Sequence, residues 1–391
     1  MYTTYELRLY DETMMQFALK DSGDLTGLQA QILWTNESKA HLLPLDLQRD
    51  DKGLLRWLRR RVIPKNRAFV HEILQSLGLQ MGDTKGILDV CKGLSLNDSY
   101  WVAPEGFPGR FDDYNLYDNP FSDTLALVAY TGFGSSQRPF TTSPELTTNG
   151  LLPKAWRRLE DGNIYLYKGA TFGAVNAGRE PYMEYYASQI AKAMGLNAVD
   201  YDLEQWKGIL ASKCKLFTDK DTAYYPIGHV LQDCDINQCV QYYNSKGKAF
   251  SEQLNSMLIF DAVIFNEDRH FGNFGLLRDN HTGEITAPAP IFDNGMSLFH
   301  FAMQTDFKDL AAYAKTRSNP YGVQTAAICK TALKKEQMAQ VRKLIGFRFQ
   351  RHPKYNLPES FLQPLEDYLQ VRIREILELG AKQRRRNQEI R

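Results

Sequence analysis

The chain has little that would tie it to a membrane, a disulfide framework or a polyanion. Its 391 residues include only five cysteines, Cys91, Cys214, Cys234, Cys239 and Cys329. None has the CxxC or CxxH spacing of a zinc site, and a reduced cytosolic compartment is the simpler setting for them. No apolar run reaches the roughly eighteen residues of a spanning helix, so no membrane span is expected. The start, Met1 to Glu6, lacks the basic and apolar regions of a signal peptide. Lysine and arginine number 47 and acidic residues 46, a formal net charge of +1, so no global field favours nucleic acid or membrane. No internal repeat is evident. What is present is 43% hydrophobic and 12% aromatic content, enough for packed cores, over a length that suggests two or three domains. A cytoplasmic protein is the expectation.

The densest chemistry lies in Phe265-Asn266-Glu267-Asp268-Arg269-His270-Phe271-Gly272-Asn273, followed by Phe292-Asp293-Asn294-Gly295. An acid, an amide five residues later and a second acid some twenty residues on suit phosphoryl transfer. That reaction needs a carboxylate to orient the attacking hydroxyl, and hard oxygen ligands for a Mg²⁺ that neutralises phosphate charge. A lone D-x-x-x-x-N more often marks a solvated loop; the full pattern is far more restrictive. Apolar Leu254, Met257, Leu258, Ala262 and Phe265 step through a helix over 251–265. The apolar run 274–277, the turn-rich 278–284 and the return through Ile285 and Ile291 predict a hairpin. Asn273 and Asp293 would then share its open end. His270 is read as orienting the loop.

The stretch N-E-D-R-H-F-G-N-F-G-L-L with I-F-D-N-G resembles the HipA-like serine/threonine protein kinases, and is similar to the D-R-H-x-x-N and D-F-G pair of phosphoinositide kinases. The resemblance implies Asp268 as catalytic base and Asn273 and Asp293 as Mg²⁺ ligands. Asn294 stands where many kinases carry Phe, and the order D-R-H rather than H-R-D argues against an ordinary eukaryotic-type protein kinase.

A kinase also needs a lysine for the phosphates and a glutamate to hold it. Residues 163–168 alternate as a strand ending in Lys168, the candidate lysine. Residues 179–194 form an amphipathic helix stopped by Gly195. Glu184 lies mid-helix, where pairing with Lys168 is expected, while Glu180 reads as a favourable charge at the dipole's positive end. The helix ends in the A-x-x-x-G-L pattern of HipA-like kinases, Ala191 to Leu196, which supports Glu184. No G-x-G-x-x-G precedes the lysine strand. Two stretches are candidates for the phosphate-covering loop, 130–136 and 143–154. The second, with its Pro153-Lys154, resembles the HipA-like loop, and backbone N–H groups of Asn149 and Gly150 are placed to cradle phosphates. HipA-like kinases can be silenced by autophosphorylation in this loop; Ser143, Thr147 and Thr148 are the hydroxyls available. A strand over 211–217 puts Leu216 and Phe217 at the hinge, near the adenine.

The fold expected is α+β: a two-lobed kinase-like fold with a small mixed N-lobe, 119–216, and a mainly helical C-lobe, 217–391, preceded by an α/β accessory module, 1–118. Residues 334–380 read as helical. The clusters Arg56 to Arg61 and Arg384-Arg385-Arg386 read as a solvated helix face and a solubilising terminus, so no direct nucleic-acid contact is expected. The resulting function is an ATP- and Mg²⁺-dependent serine/threonine kinase acting on a protein. The resemblance adds autophosphorylation, a toxin–antitoxin setting and a small DNA-binding antitoxin partner. A small-molecule or phosphoinositide kinase and a silent pseudokinase module are the alternatives.

Overall fold

Tyr5, Leu7 and Leu9 are all but inaccessible and lie on one face of a strand, Thr3–Leu9. The strand sits inside a four-stranded antiparallel sheet of spatial order Leu28–Thr35, Glu12–Asp21, Thr3–Leu9 and Tyr100–Pro104. The structure, a computed structural model, describes residues 2–21, 27–133 and 142–389. It divides into two compact units, one made of residues 1–168, 215–225 and 276–286, the other of 169–214, 226–275 and 287–391. Both mix helices with antiparallel strands, so the class is α+β.

In the first unit, the helix Asp51–Arg59 starts where Asp50 accepts the Gly53 N–H at 2.7 Å, an N-cap. The helix Asp123–Thr131 packs on the strand Lys154–Arg158, which pairs antiparallel with Ile164–Lys168. Trp101, Phe111, Leu116 and Tyr117 share one apolar cluster with Ile164 and Leu216. Part of the apolar core of residues 1–118 is thus shared with later segments of the chain. The hairpin foreseen around residue 280 is present as Gly275–Asp279 and Ile285–Pro288, in a three-stranded sheet with Thr222–Pro226. Asp279 closes its turn by accepting the N–H groups of His281 and Thr282 at 2.8 and 2.7 Å. Arg278, 3% exposed, donates to the Leu43 carbonyl at 2.9 Å and the Tyr100 hydroxyl at 3.2 Å, stitching this hairpin to the N-terminal sheet.

In the second unit, the helix Glu180–Met194 has Pro181 in its first turn and stops at Gly195, φ +76°. The strands Tyr201–Trp206 and Ile209–Lys215 pair antiparallel. The helix Lys248–Ile264 is buried without a break from Ser256 to Ile264, as expected of a core helix ringed by others. Its neighbours are Ile236–Ser245, Thr325–Ala332, Lys335–Arg342 and Glu359–Glu389. The helical reading of 334–380 is interrupted: residues 343–358 are non-helical, with Gly346, Pro353 and Pro358 breaking the run. The last helix continues to Glu389, through the basic Arg384-Arg385-Arg386 stretch. Among the described residues, no helix is long and apolar enough to cross a membrane.

Candidate functional site

The core helix ends at Phe265, whose left-handed φ of +53° turns the chain into the polar loop. Asp261, in the last helical turn, is 5% exposed. The loop returns Arg269 against it, fully buried, with Nη2 to Oδ1 and Nε to Oδ2 both at 3.0 Å. The same guanidinium donates from Nη1 to the carbonyls of Asn273 and Asp293, each at 3.3 Å, and to that of Phe292. Its Nη2 also reaches Asn294 Oδ1 at 2.5 Å. One side chain thus ties together the helix end, the 266–273 loop and the 292–294 turn. Burial disfavours the Arg269 charge, but the Asp261 carboxylate outweighs it, and the net effect raises the group's pKa.

Asn273 donates its amide NH₂ to the Asp268 carbonyl at 3.0 Å, which turns its amide oxygen, the atom a hard cation would use, the other way. Asn266 Oδ1 accepts the Asp268 N–H at 2.9 Å, leaving Asp268 half-buried at the loop crest. His270 Nδ1 accepts the Gly272 N–H at 3.0 Å, the loop-orienting part read from the sequence. Asp293 has φ +57°, a conformation few non-glycine residues adopt and one that collects at functional sites. A parallel bridge between Ala198 and Ile291 brings the turn beside the Glu180–Met194 helix, and the Asp293 N–H donates to Tyr201 Oη at 3.0 Å. Burial, then the Glu184 carboxylate, with Asp293 contributing, holds the Tyr201 phenol well above its ordinary pKa, so it stays protonated.

Glu184, fully buried, accepts the Asn294 N–H at 2.7 Å. A side chain at Gly295 would place its Cβ 3.2 Å from Glu184 Oε1 and 3.4 Å from Glu180 Cβ, so the glycine of D-N-G permits this close approach. Glu180 lies in the first turn of its helix, the dipole charge expected, and is buried there: it is 2% exposed and accepts from Thr171 Oγ1 at 2.6 Å. The second unit therefore gathers Glu184, Asp268, Asn273 and Asp293 around one turn. Among the described residues, no three His, Cys, Asp or Glu side chains are arranged to hold a metal. The oxygen pair of Asn273 and Asp293 suits a magnesium ion that takes its other ligands from phosphates and water.

The remaining predicted residues lie in the first unit. Lys168 and Lys154, 9% and 7% exposed, stand directly opposite each other on paired strands. Lys154 Nζ donates to the Asn149 carbonyl at 2.9 Å, and a Cβ at Gly150, φ +104°, would lie 2.0 Å from that Nζ and displace it. Glu145, fully buried, anchors the loop by accepting the Trp156 N–H at 2.7 Å and Arg67 Nη2 at 2.5 Å. Burial pushes Glu145 up to about 7, with Arg67 pulling against it. Ser143 is 2% exposed and Thr147 bonds the Leu94 carbonyl at 2.8 Å. Leu216 packs in the Trp101 cluster, and Phe217 meets Tyr224 edge-on at 5.4 Å. Of the other loop candidate, residues 134–136 lie outside the described residues.

Sequence reasoning missed Arg269, Lys154, Tyr201 and Asp261. The first two stood inside the D-R-H and Pro-Lys motifs, which was signal enough; Asp261, eight residues before Arg269, was legible as an acid in an otherwise apolar stretch of its helix, and Tyr201 carried no signal because its partner Asp293 is 92 positions away.

No protein-family model and no curated protein sequence matches the chain. Among solved structures, it is similar to HipA of the Shewanella oneidensis toxin–antitoxin system, determined in complex with HipB and operator DNA: 12% identity, TM-score 0.54, covering 96% of this chain and 99% of that one. The proinflammatory kinase CtkA of Helicobacter pylori also matches, at 17% identity and TM-score 0.48, over 60% of this chain and 95% of that one. The chain has a HipA-like kinase fold.

Proposed function

We propose that the chain is an ATP- and Mg²⁺-dependent protein kinase that phosphorylates serine or threonine. The observation that carries this reading is the Arg269 knot, which fixes the Asp268–Asn273 loop and the Asp293 turn to each other in a HipA-like fold. Asp268 orients the acceptor hydroxyl and takes its proton as the bond to phosphorus forms. Asn273 and Asp293 would hold the metal, which when bound neutralises charge on the phosphates. Lys168 is assigned to the phosphates, with the backbone of Asn149 and Gly150 covering them and Leu216 and Phe217 toward the adenine. Glu184 keeps the D-N-G turn in register through the Asn294 N–H. Most of the rate gain comes from positioning and charge rather than proton abstraction. By its likeness to HipA, a small DNA-binding protein is the partner to test, and autophosphorylation near residues 143–148 the modification.

The test is incubation with Mg²⁺ and γ-labelled ATP, followed by mapping of labelled sites. Asp268→Asn and Asp293→Asn are expected to lower incorporation by at least ~100-fold with an unchanged melting temperature. Substantial labelling by both variants would overturn the mechanism. ATP binding without any turnover by the native chain would favour a silent binding module.

A further inference from the structure

Two of the five thiols lie together, outside everything assigned above. Cys234 Sγ and Cys239 Sγ are 3.6 Å apart, Cys239 buried and Cys234 partly accessible. The segment between them is held by a reciprocal cap on the helix Ile236–Ser245. Asp235 accepts the Gln238 N–H and Gln238 Oε1 accepts the Asp235 N–H, both at 2.8 Å. The residue before Cys234, Asp233, sits at φ +54°, which turns the chain back over the helix start. The sulfurs are thus held in van der Waals contact by local backbone structure, and closing to a bond of about 2.05 Å needs only a small further approach.

We propose that Cys234 and Cys239 are an oxidation site that closes reversibly to an intramolecular disulfide on exposure to a low-molecular-weight disulfide. Accessible Cys234 reacts first. Its thiolate attacks one sulfur of the small disulfide, whose S–S bond breaks, and a mixed disulfide forms while the first small thiol leaves. Cys239 then loses its proton and attacks the Cys234 sulfur, expelling the second small thiol. Two protein thiols are oxidised, one small disulfide is reduced to two thiols, and the cysteine protons end on those leaving groups. Burial and the Cys234 contact raise the Cys239 thiol, which makes it a poor first nucleophile; it resolves the mixed disulfide because its Sγ lies 3.6 Å from that of Cys234. A loop this short gains little from restraining the unfolded chain, which makes the bond labile rather than structural.

The pair connects to the loop described above within the same unit. Cys239 lies one helical turn before Tyr243, whose hydroxyl donates to the Gly275 carbonyl at 2.9 Å and whose ring packs 6.3 Å from Phe274. Phe274 and Gly275 come directly after Asn273 in the chain. Drawing Cys239 toward Cys234 therefore perturbs the backbone that carries the loop's end.

The experiment treats the full chain with oxidised glutathione, then maps peptides by mass spectrometry and counts free thiols. Expected is loss of two thiols, with the peptide holding both cysteines lighter by two hydrogens and restored by dithiothreitol. Cys239→Ser is expected to retain a glutathione adduct on Cys234. Hydrogen exchange at Gly275 should change severalfold on oxidation of the native chain and not in Cys239→Ser. Stable glutathionylation of Cys234 in the native chain, or two thiols that stay titratable, would overturn the proposal. None of these readouts depends on kinase activity.

Discussion

At the scale of the single residue, Arg269 has the most to explain. A buried guanidinium is tolerated because each face meets an acceptor: Asp261, three carbonyls and the Asn294 amide oxygen. Lysine, a point charge with three donors, cannot span that set. Arg269→Leu leaves the Asp261 carboxylate buried without its partner. It is expected to destabilise the fold by about 3–5 kcal/mol, read as a lower urea midpoint. Asp261→Asn in the same background should recover part of the loss, because the residual cost is an unpaired charge and not lost packing. Equal midpoints for Arg269→Leu and the native chain would remove Arg269 from its organising role.

At the scale of the element, the 143–150 loop is held by side chains rather than by its own backbone ladder. Glu145 clamps it to the strand at Trp156 and to Arg67, and Lys154 closes its far end on Asn149. Glu145 has an ordinary pKa of 4.5 and is raised by burial to about 7 in the fold. Its folded pKa lies above the unfolded one, so its favourable contribution is complete below about pH 4.5 and is lost as the pH rises through about 7. Stability measured by denaturant between about pH 5 and about pH 8 should therefore carry a falling component that Glu145→Gln flattens. An unchanged slope in Glu145→Gln would mean that the Arg67 pairing keeps Glu145 ionised throughout. The loop's glycine is legible in sequence as a turn former, but the φ of +104° that strains any side chain there is set only by the fold.

At the scale of the whole molecule, residues 1–118 share a core with later segments of the chain. The Trp101 cluster includes Ile164 and Leu216, Arg278 bonds Leu43 and Tyr100, and Thr218 Oγ1 donates to the Leu96 carbonyl at 2.5 Å. A chain beginning at residue 119 would lack most of that cluster, uncover Ile164 and Leu216, and leave buried Arg278 without its Leu43 and Tyr100 acceptors. It is expected to lack a cooperative thermal transition and to bind hydrophobic dye. A sharp melt near that of the full chain would show the N-terminal residues to be dispensable for folding.

What the residues determined alone is what depends on neighbours in the chain. The acid–amide–acid set at 268, 273 and 293, the hairpin joining its halves, the helix ended by Gly195 and the strand ending in Lys168 all arise from short-range periodicity, turn formers and the chemistry of each side chain. The interruption at 343–358 is equally local, written in its prolines, and is hidden in a periodicity reading because the apolar period continues on either side. Only the tertiary structure decided which distant groups meet: Glu184 with the Asn294 N–H across 110 positions, Asp293 with Tyr201 across 92, Glu145 with Arg67 across 78. Buried polar groups must find partners, but any of many acceptors satisfies that demand, and chain folding rather than spacing selects one.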